Sequence, residues 1–386
     1  MLDQYDLFFI DTAYQTGDPS YHRTEEHIFR YMERNLRPQE EFPTAGAKDL
    51  LGLSTEDVEL LQAGVQKDQI RFLCALGTHG AHNRMDFVQK LGEKILHDYP
   101  VYNHNCYENN ICIGKTERGY DVCINKEFMD CDLRIGLGAL TPHPFNAFGG
   151  GGKILFPGLA SIETITQNHD TAVNYIRDNK INTTACMGDL SVSGMREEIE
   201  EMTRMVGQFF KVDCIYNTKL ELIDLYAGDP IEEYYAAVPA AQKLYAMPSA
   251  SDMDIVIVNA NAKGNEASIA SSLASMALTE KGGDIVLVDH TKMGQVTHYL
   301  FGSFGVGGAT GGRRHGKLPK QRPQVNRYIC WMPYPDHSSS HWFGEIDKQI
   351  YVDTWEEVMD LLVKAHGDHP KVCIIADGTI SYYSRE

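Results

Sequence analysis

Three histidines and one lysine are the residues of this 386-residue chain whose types and spacing could do chemistry. His79 stands in Gly77-Thr78-His79-Gly80 and His143 in Pro142-His143-Pro144-Phe145. Lys153 follows Gly149, Gly150, Gly151 and Gly152, and His169 ends the segment in Asn168-His169. Histidine titrates near neutrality, so it can take and return a proton, and as a neutral imidazole it can ligate a transition metal. A desolvated lysine behind glycines could act as a nucleophile or pair with a phosphate. The chain has 15 histidines, so most must be ordinary surface or core residues. These three stand apart because His79 and His143 follow apolar, strand-like runs and His169 closes the glycine–lysine segment. Residue types alone leave acid/base, metal-ligand and nucleophile roles open.

Four consecutive glycines are entropically costly. The run predicts a sharp bend or a backbone lying against a ligand, with a surface linker as the alternative. A nucleotide-hydrolysing P-loop does not fit: Ala147 occupies its first glycine position and Ile154 stands where the magnesium-binding hydroxyl belongs. Glycine amides could still approach a single phosphate. The other glycine-rich stretch, 302–312, lacks Gly-x-Gly-x-x-Gly, which argues against a nicotinamide dinucleotide.

The elements that must position these residues read as alternating strands and helices. Residues 5–12 predict a strand, 49–66 a helix, and 69–76 a buried strand that delivers His79 at its carboxyl end, where open α/β sheets bind ligands. A helix is expected over 85–97, strands over 110–114 and 120–124, and a buried strand over 133–140 that leads into His143. Beyond His169 the pattern is helix at 196–210, strand at 212–226 and an alanine-rich helix at 231–245. After Pro248-Ser249-Ala250-Ser251 it restarts as strand 254–260, helix 266–279, strand 284–290 and strand 371–378. Nearly all-apolar strands alternating with helices indicate parallel sheets covered on both faces. The expected fold is therefore two α/β domains with largely parallel sheets and the active site in the interdomain cleft. The first domain spans 1–250 and the second 251–375, with a tail, 376–386, packing back on the first. The cationic loop 302–317 is a candidate lid.

At 43% hydrophobic residues the chain can bury a substantial core. Its net charge of -18 argues against nucleic-acid and membrane-surface partners, which need a positive field. Nine cysteines without a Cys-x-x-Cys pair suggest neither a disulfide scaffold nor a zinc ribbon, and read as reduced thiols in a cytoplasmic protein. The N-terminal residues show no leader pattern and no window is apolar for long enough to span a bilayer.

Taken together, Gly77-Thr78-His79, Pro142-His143-Pro144-Phe145, Phe148 through Lys153, and Phe156-Pro157-Gly158 through Asn168-His169 resemble the nickel-dependent lactate racemase family. The similarity is strongest over about 70–170. It continues more weakly through Tyr226-Ala227-Gly228-Asp229-Pro230, Asp254 to Asn259 and Ala376-Asp377-Gly378. Ten residues separate His143 from Lys153 and sixteen separate Lys153 from His169, in agreement with the family's order of histidine, lysine, histidine. The resemblance implies nickel held in a pyridinium-3,5-bisthiocarboxylic acid mononucleotide, a pincer cofactor tethered through a thioamide. Lys153 would be the tether, His169 the protein ligand to nickel, and His79 and His143 the acid/base pair. Thr78, Phe145 and Gly149 to Gly152 would lie along the cofactor. A histidine would remove the hydroxyl proton of a 2-hydroxy acid as hydride leaves carbon, and hydride return to the opposite face of the planar 2-keto acid would invert the centre.

The chain departs from the family pattern in its substrate contacts. The segment that normally supplies a carboxylate-binding arginine is represented only by Arg34-Asn35-Leu36-Arg37-Pro38, which leaves Arg37 as the candidate. The family's glutamine and lysine are missing from the helix reading SIASSLASM (268–276), where Ser271 is the candidate, and Gly80 replaces an arginine. Trp342 is a candidate pocket wall. The expected activity is thus racemisation or epimerisation of a 2-hydroxy acid other than lactate, with cofactor-biosynthesis proteins as partners and a homo-oligomer as the assembly. The alternatives are a non-catalytic carrier of the pincer cofactor and a nicotinamide-dependent dehydrogenase.

Overall fold

The computed structural model describes residues 6–10, 67–179, 186–192, 194–292, 294–295, 298, 300, 322–337 and 343–384. Arg37, Trp342, the expected helix over 49–66 and the 302–317 loop lie outside the described residues.

In chain order the first elements are β1 (Asp6–Ile10), β2 (Phe72–Cys74), α1 (Arg84–Leu91), α2 (Glu93–Asp98), β3 (Val101–Asn103), β4 (Asn110–Lys115) and β5 (Asp121–Asn125). The single helix expected over 85–97 is two helices, because Gly92 turns to φ +84° between them. Asn83 starts α1 by accepting from the Met85 and Asp86 amides, while the Asp86 carboxylate accepts from the Asn83 amide in return. β4 and β5 form an antiparallel hairpin around 116–119, with Gly119 at φ +82°. In that register Cys112 faces Cys123, and the two are joined by a disulfide. This corrects the expectation of nine thiols: the hairpin brings the two Cα atoms to 3.9 Å. The other seven cysteines are free.

The chain continues through α3 (Lys126–Met129), β6 (Ile135–Ala139), the short pair β7 (Pro142–His143) and β8 (Ala147–Phe148), then α4 (Ile162–Asp178) and α5 (Gly194–Val206). Met195, Ile199, Met202 and Val206, spaced by four and three, form the buried stripe of α5 against Leu155, Phe156 and Ile165. Gly207 at φ +80° ends this helix before 210. The strand expected over 212–226 is a hairpin of β9 (Phe210–Tyr216) and β10 (Leu222–Gly228), followed by α6 (Glu232–Tyr245). β9 pairs antiparallel with β10 and parallel with β6. The sheets of this half are therefore small and mixed, not largely parallel.

The remaining elements are β11 (Ala246–Met247), β12 (Ile255–Asn259), α7 (Ala267–Ser275), β13 (Gly283–Val288), β14 (Val325–Trp331), β15 (Gln349–Val352), α8 (Trp355–His366), β16 (Lys371–Ile375) and β17 (Tyr382–Tyr383). Six strands make one sheet in the order β1-β16-β12-β13-β14-β15, with every neighbouring pair parallel. Side chains alternate across it: Val256 and Val258 pack toward α7, and Ile255 and Ile257 toward α8. Burial on both faces explains the near-continuous apolar runs of β12 and β13. The chain moves from β12 to β15 in one direction, then returns past them to place β16 on the other side of β12. The loops after β12 and β16 therefore diverge at a topological switch point, where α/β sheets open a crevice.

The C-terminal segment crosses back to the first half. β17 pairs with β11, and Tyr382 packs edge-on to Phe148 in a cluster with Leu140 and Tyr234. Among the described residues no helix is long and apolar enough to cross a membrane.

Candidate active site

Each candidate residue is held by a local backbone device. Gly77, at φ +56°, ends the approach from β2 and donates its amide to Gly158 O at 2.8 Å, which turns Thr78 and His79 away from the strand. His143 lies on β7, and its Nδ1 accepts the Phe145 amide at 3.2 Å, which orients the ring. Lys153 sits in a single 3-10 turn, Gly151–Ile154. His169 is on α4, where its Nδ1 donates to Ile165 O at 2.9 Å, so Nε2 carries the lone pair.

The glycine run is shaped by neighbouring protein. A Cβ on Gly152 would come within 2.1 Å of Thr203 Oγ1, one on Gly151 within 2.7 Å of Pro230 O, and one on Gly150 within 2.7 Å of Asp213 Oδ2. Gly150 and Gly151 also take φ of +84° and +57°. The run thus threads between α5, β9 and the start of α6, and the close approach that excludes side chains is to the protein's own atoms. Asp213 Oδ2 accepts the Gly151 amide at 2.6 Å. Arg196 donates to Phe148 O at 2.8 Å and to Gly150 O at 3.3 Å, with its guanidinium 3.7 Å from the Tyr234 ring centroid. Asp213 also pairs with Lys211, both fully buried, and burial pushes the nearby Glu233 carboxyl up. Asp213→Ala is expected to destabilise the protein by about 3 kcal/mol in denaturant titrations, since it strands the Lys211 ammonium and the Gly151 amide.

These devices bring the candidates together. The His143 ring is 6.1 Å from Phe145, and Phe145 is 6.3 Å from His169. His298, a residue that sequence reasoning missed, lies 6.3 Å from His169 and 5.0 Å from His79, ring centroid to ring centroid. It pairs with His79 in an isolated antiparallel bridge and meets Thr78 Oγ1 at 3.4 Å. No local motif marks it, because Thr78, His79 and His169, the candidates it meets, are all more than 100 residues away. His79, His143, Lys153 and His298 keep part of their surface open while protein surrounds them, as expected for groups lining a recess.

The electrostatics follow from that enclosure. Burial, reinforced by Lys153 and Lys263, holds His143 well below the ordinary histidine value. Burial also lowers His79, against the opposing effect of Glu266, and lowers His298, with His79 and His169 adding to the shift. Lys153 is brought down to about 8, mainly by burial, against the pull of Glu266 and with help from Lys263 and Arg196. Imidazoles shifted toward the neutral, proton-accepting form and a lysine brought closer to neutrality than an ordinary one are the result. Ser271 does not join them: it is fully buried and its hydroxyl donates to Phe343 O at 2.6 Å, a packing role within α7.

A mixed α/β fold with this cluster defines the class. Residues 56–180, which contain Thr78, His79, His143, Lys153 and His169, match the lactate racemase N-terminal domain, and the chain is similar to lactate racemases. It is 27% identical over 226 residues to the lactate racemase of Lactiplantibacillus plantarum, covering 57% of this chain and 52% of that protein. It is 24% identical over 224 residues to the lactate racemase of Thermoanaerobacterium thermosaccharolyticum, covering 57% and 51%. The chain spans about half the length of the curated relatives it matches. Its fold resembles that of the lactate racemase apoprotein from T. thermosaccharolyticum, with a TM-score of 0.64, 18% identity and coverage of 89% of this chain and 84% of that one. A protein from Thermotoga maritima gives a TM-score of 0.60 at 18% identity, over 96% and 100% of the two chains.

Proposed function

We propose that this protein is a racemase or epimerase of a 2-hydroxy acid other than lactate, working with a nickel pincer nucleotide tethered to Lys153 in a cleft between two α/β domains. The observation that supports the reading is the chain of ring contacts that links His79 through His298 to His169, and His169 through Phe145 to His143, with Lys153 lowered to about 8. The residues fit such a group. His169 would be the one protein ligand to a metal whose other donors come with the cofactor. The bond from His169 Nδ1 to Ile165 O orients Nε2 as that ligand. Burial brings the Lys153 amine down to about 8, which favours its neutral, nucleophilic form and suits it to be the attachment point.

When bound, the cofactor supplies a hydride acceptor for carbon 2. His79 and His143, held neutral, take the hydroxyl proton from one enantiomer and return it to form the other. Phe145 walls the space between His143 and His169 and helps exclude water. The packed glycine run supports this reading by presetting the turn that presents Lys153. The missing family contacts in the 268–276 helix and at Gly80 support a rebuilt substrate pocket. Cofactor-loaded protein incubated with single enantiomers of short, aromatic and sugar-derived 2-hydroxy acids should invert at least one of them, with lactate a poor substrate, as read by chiral separation. Efficient lactate racemisation would refute the substrate assignment.

A further inference from the structure

The three-stranded sheet β10-β9-β6 presents two unlike faces. Its register sets Ile135 beside Phe210 and Leu137 beside Val212, and across the hairpin it sets Val212 beside Ala227 and Cys214 beside Leu225. Paired residues project to the same side of a sheet and successive residues to opposite sides, so all of these share one face. Lys211 and Asp213 project from the other face, where both are fully buried and Asp213 accepts the Gly151 amide at 2.6 Å. That inner face therefore fixes the turn that presents Lys153.

The outer face breaks the usual pattern, in which a sheet with one side in water alternates apolar-in with polar-out. Cys214 closes it at one end, buried in the cluster with Leu140 and Tyr245. Over the rest, Ile135, Phe210 and Leu225 stand 41%, 46% and 46% exposed, one on each strand, with Leu137 and Val212 half-buried between them. Leu133 before β6, and Leu222 and Ile223 at the start of β10, extend the apolar surface and are each about half exposed. Of the 16 large apolar side chains exposed among the described residues, six lie on or beside this one sheet, which makes it a concentrated patch and not surface scatter. None of the six is charged or polar.

We infer that this outer face docks on the same face of a second copy of the chain, making the protein a two-fold dimer. A two-fold axis sets the same patch on both sides of the contact, so a face that is apolar throughout is its own complement. Each chain carries a net charge of -18, and this patch lets two copies meet without a like-charge contact at its centre. The same absence of cations leaves it nothing to offer an anionic membrane or a nucleic acid. Six large side chains, each about half exposed, amount to on the order of 500 Å² of apolar surface per copy, so two faces together reach the roughly 1,000 Å² that a specific interface needs. In the dimer, the sheet that holds Gly151 on its inner face is backed by the partner on its outer one. The contact is separate from the chemistry assigned to the site, so it stands or falls independently of the racemase reading.

Sedimentation equilibrium of the full-length protein, with or without cofactor, should give a particle of twice 43.3 kDa at micromolar concentration. Amide hydrogen exchange should slow over 210–228 as the protein is concentrated, while α8 exchanges at an unchanged rate. Phe210→Glu and Leu225→Glu each put a carboxylate into the contact and should weaken the dimer about 30-fold or more. Both should keep the parent's circular dichroism, because these side chains already stand half in water in the single chain. Ile346→Glu, at an exposed apolar residue outside the sheet, should leave the dissociation constant as it was. A parent that sediments at 43.3 kDa throughout the micromolar range would overturn the inference. So would a dimer whose constant neither sheet substitution changes, or one whose protection on concentration falls outside the β10-β9-β6 sheet. Should a variant fail to fold, the mass and exchange of the parent decide alone.

Discussion

Lys153→Ala is expected to abolish both the covalent mass increment of cofactor-loaded protein and its activity, the largest effect of any single substitution in the site. Intact-mass spectrometry reads the first directly: the variant should weigh what its polypeptide weighs, while the parent carries the added group. The variant should still fold, because the turn that holds Lys153 is fixed by Gly150, Gly151 and their partners Asp213 and Arg196 through the backbone. Lys153→Arg should fail equally, since guanidinium stays protonated and is no nucleophile near neutrality. The parent's cofactor-free lysine should show its own signature. With Lys153 lowered to about 8 by burial, its neutral fraction rises as pH passes through about 8, well before an ordinary lysine's. A small amine-acylating reagent should therefore label Lys153 ahead of exposed lysines at pH 7 to 8. Persistence of the mass increment in Lys153→Ala would place the tether elsewhere.

Replacing His79 or His143 by asparagine should lower the conversion rate by about 10²- to 10⁴-fold, the range for loss of a positioned acid/base group. On the proposed mechanism one imidazole serves each enantiomer, so either substitution should block both directions. Both groups are lowered from 6.5, chiefly by burial. Their proton-accepting form therefore persists below the ordinary histidine range, and the acid limb of kcat/KM should lie under pH 6.5. The same shifts fix a stability trend. Unfolded histidine binds protons as pH falls through 6.5 while these folded imidazoles do not, so their contribution is complete above that pH and is lost progressively below it. An acid limb above 6.5, or a variant that loses only one direction, would contradict the assigned roles.

What was legible in the sequence lies within one continuous stretch. His143, Lys153 and His169 keep their spacing because a hairpin, a 3-10 turn and the first turns of α4 follow one another without insertion. The parallel sheet was legible for the opposite reason: burial on both faces leaves β12 and β13 apolar throughout. β14, β15 and α8 were missed, although β14 contains the buried run Tyr328, Ile329 and Cys330. The glycine run could not be interpreted locally, since Thr203, Asp213 and Pro230, the groups that leave no room for a Cβ, arrive from 50 to 80 residues away in sequence. His298 and Lys263 are functional candidates only through contacts with the first half, and nothing in their own neighbourhoods announces it.

The central claim is that inversion at carbon 2 proceeds by transfer and return of the substrate's own hydrogen as hydride, with the imidazoles handling only the hydroxyl proton. It is tested most directly by converting a single enantiomer of the best 2-hydroxy acid in D2O with cofactor-loaded protein, then separating the enantiomers and weighing each. The account predicts that the opposite enantiomer accumulates without deuterium at carbon 2. Deuterium at carbon 2 would show that a carbon-bound proton exchanges with solvent and would contradict the account. Absence of any conversion with nickel loading confirmed would contradict it too, and would leave the chain as a carrier of the cofactor.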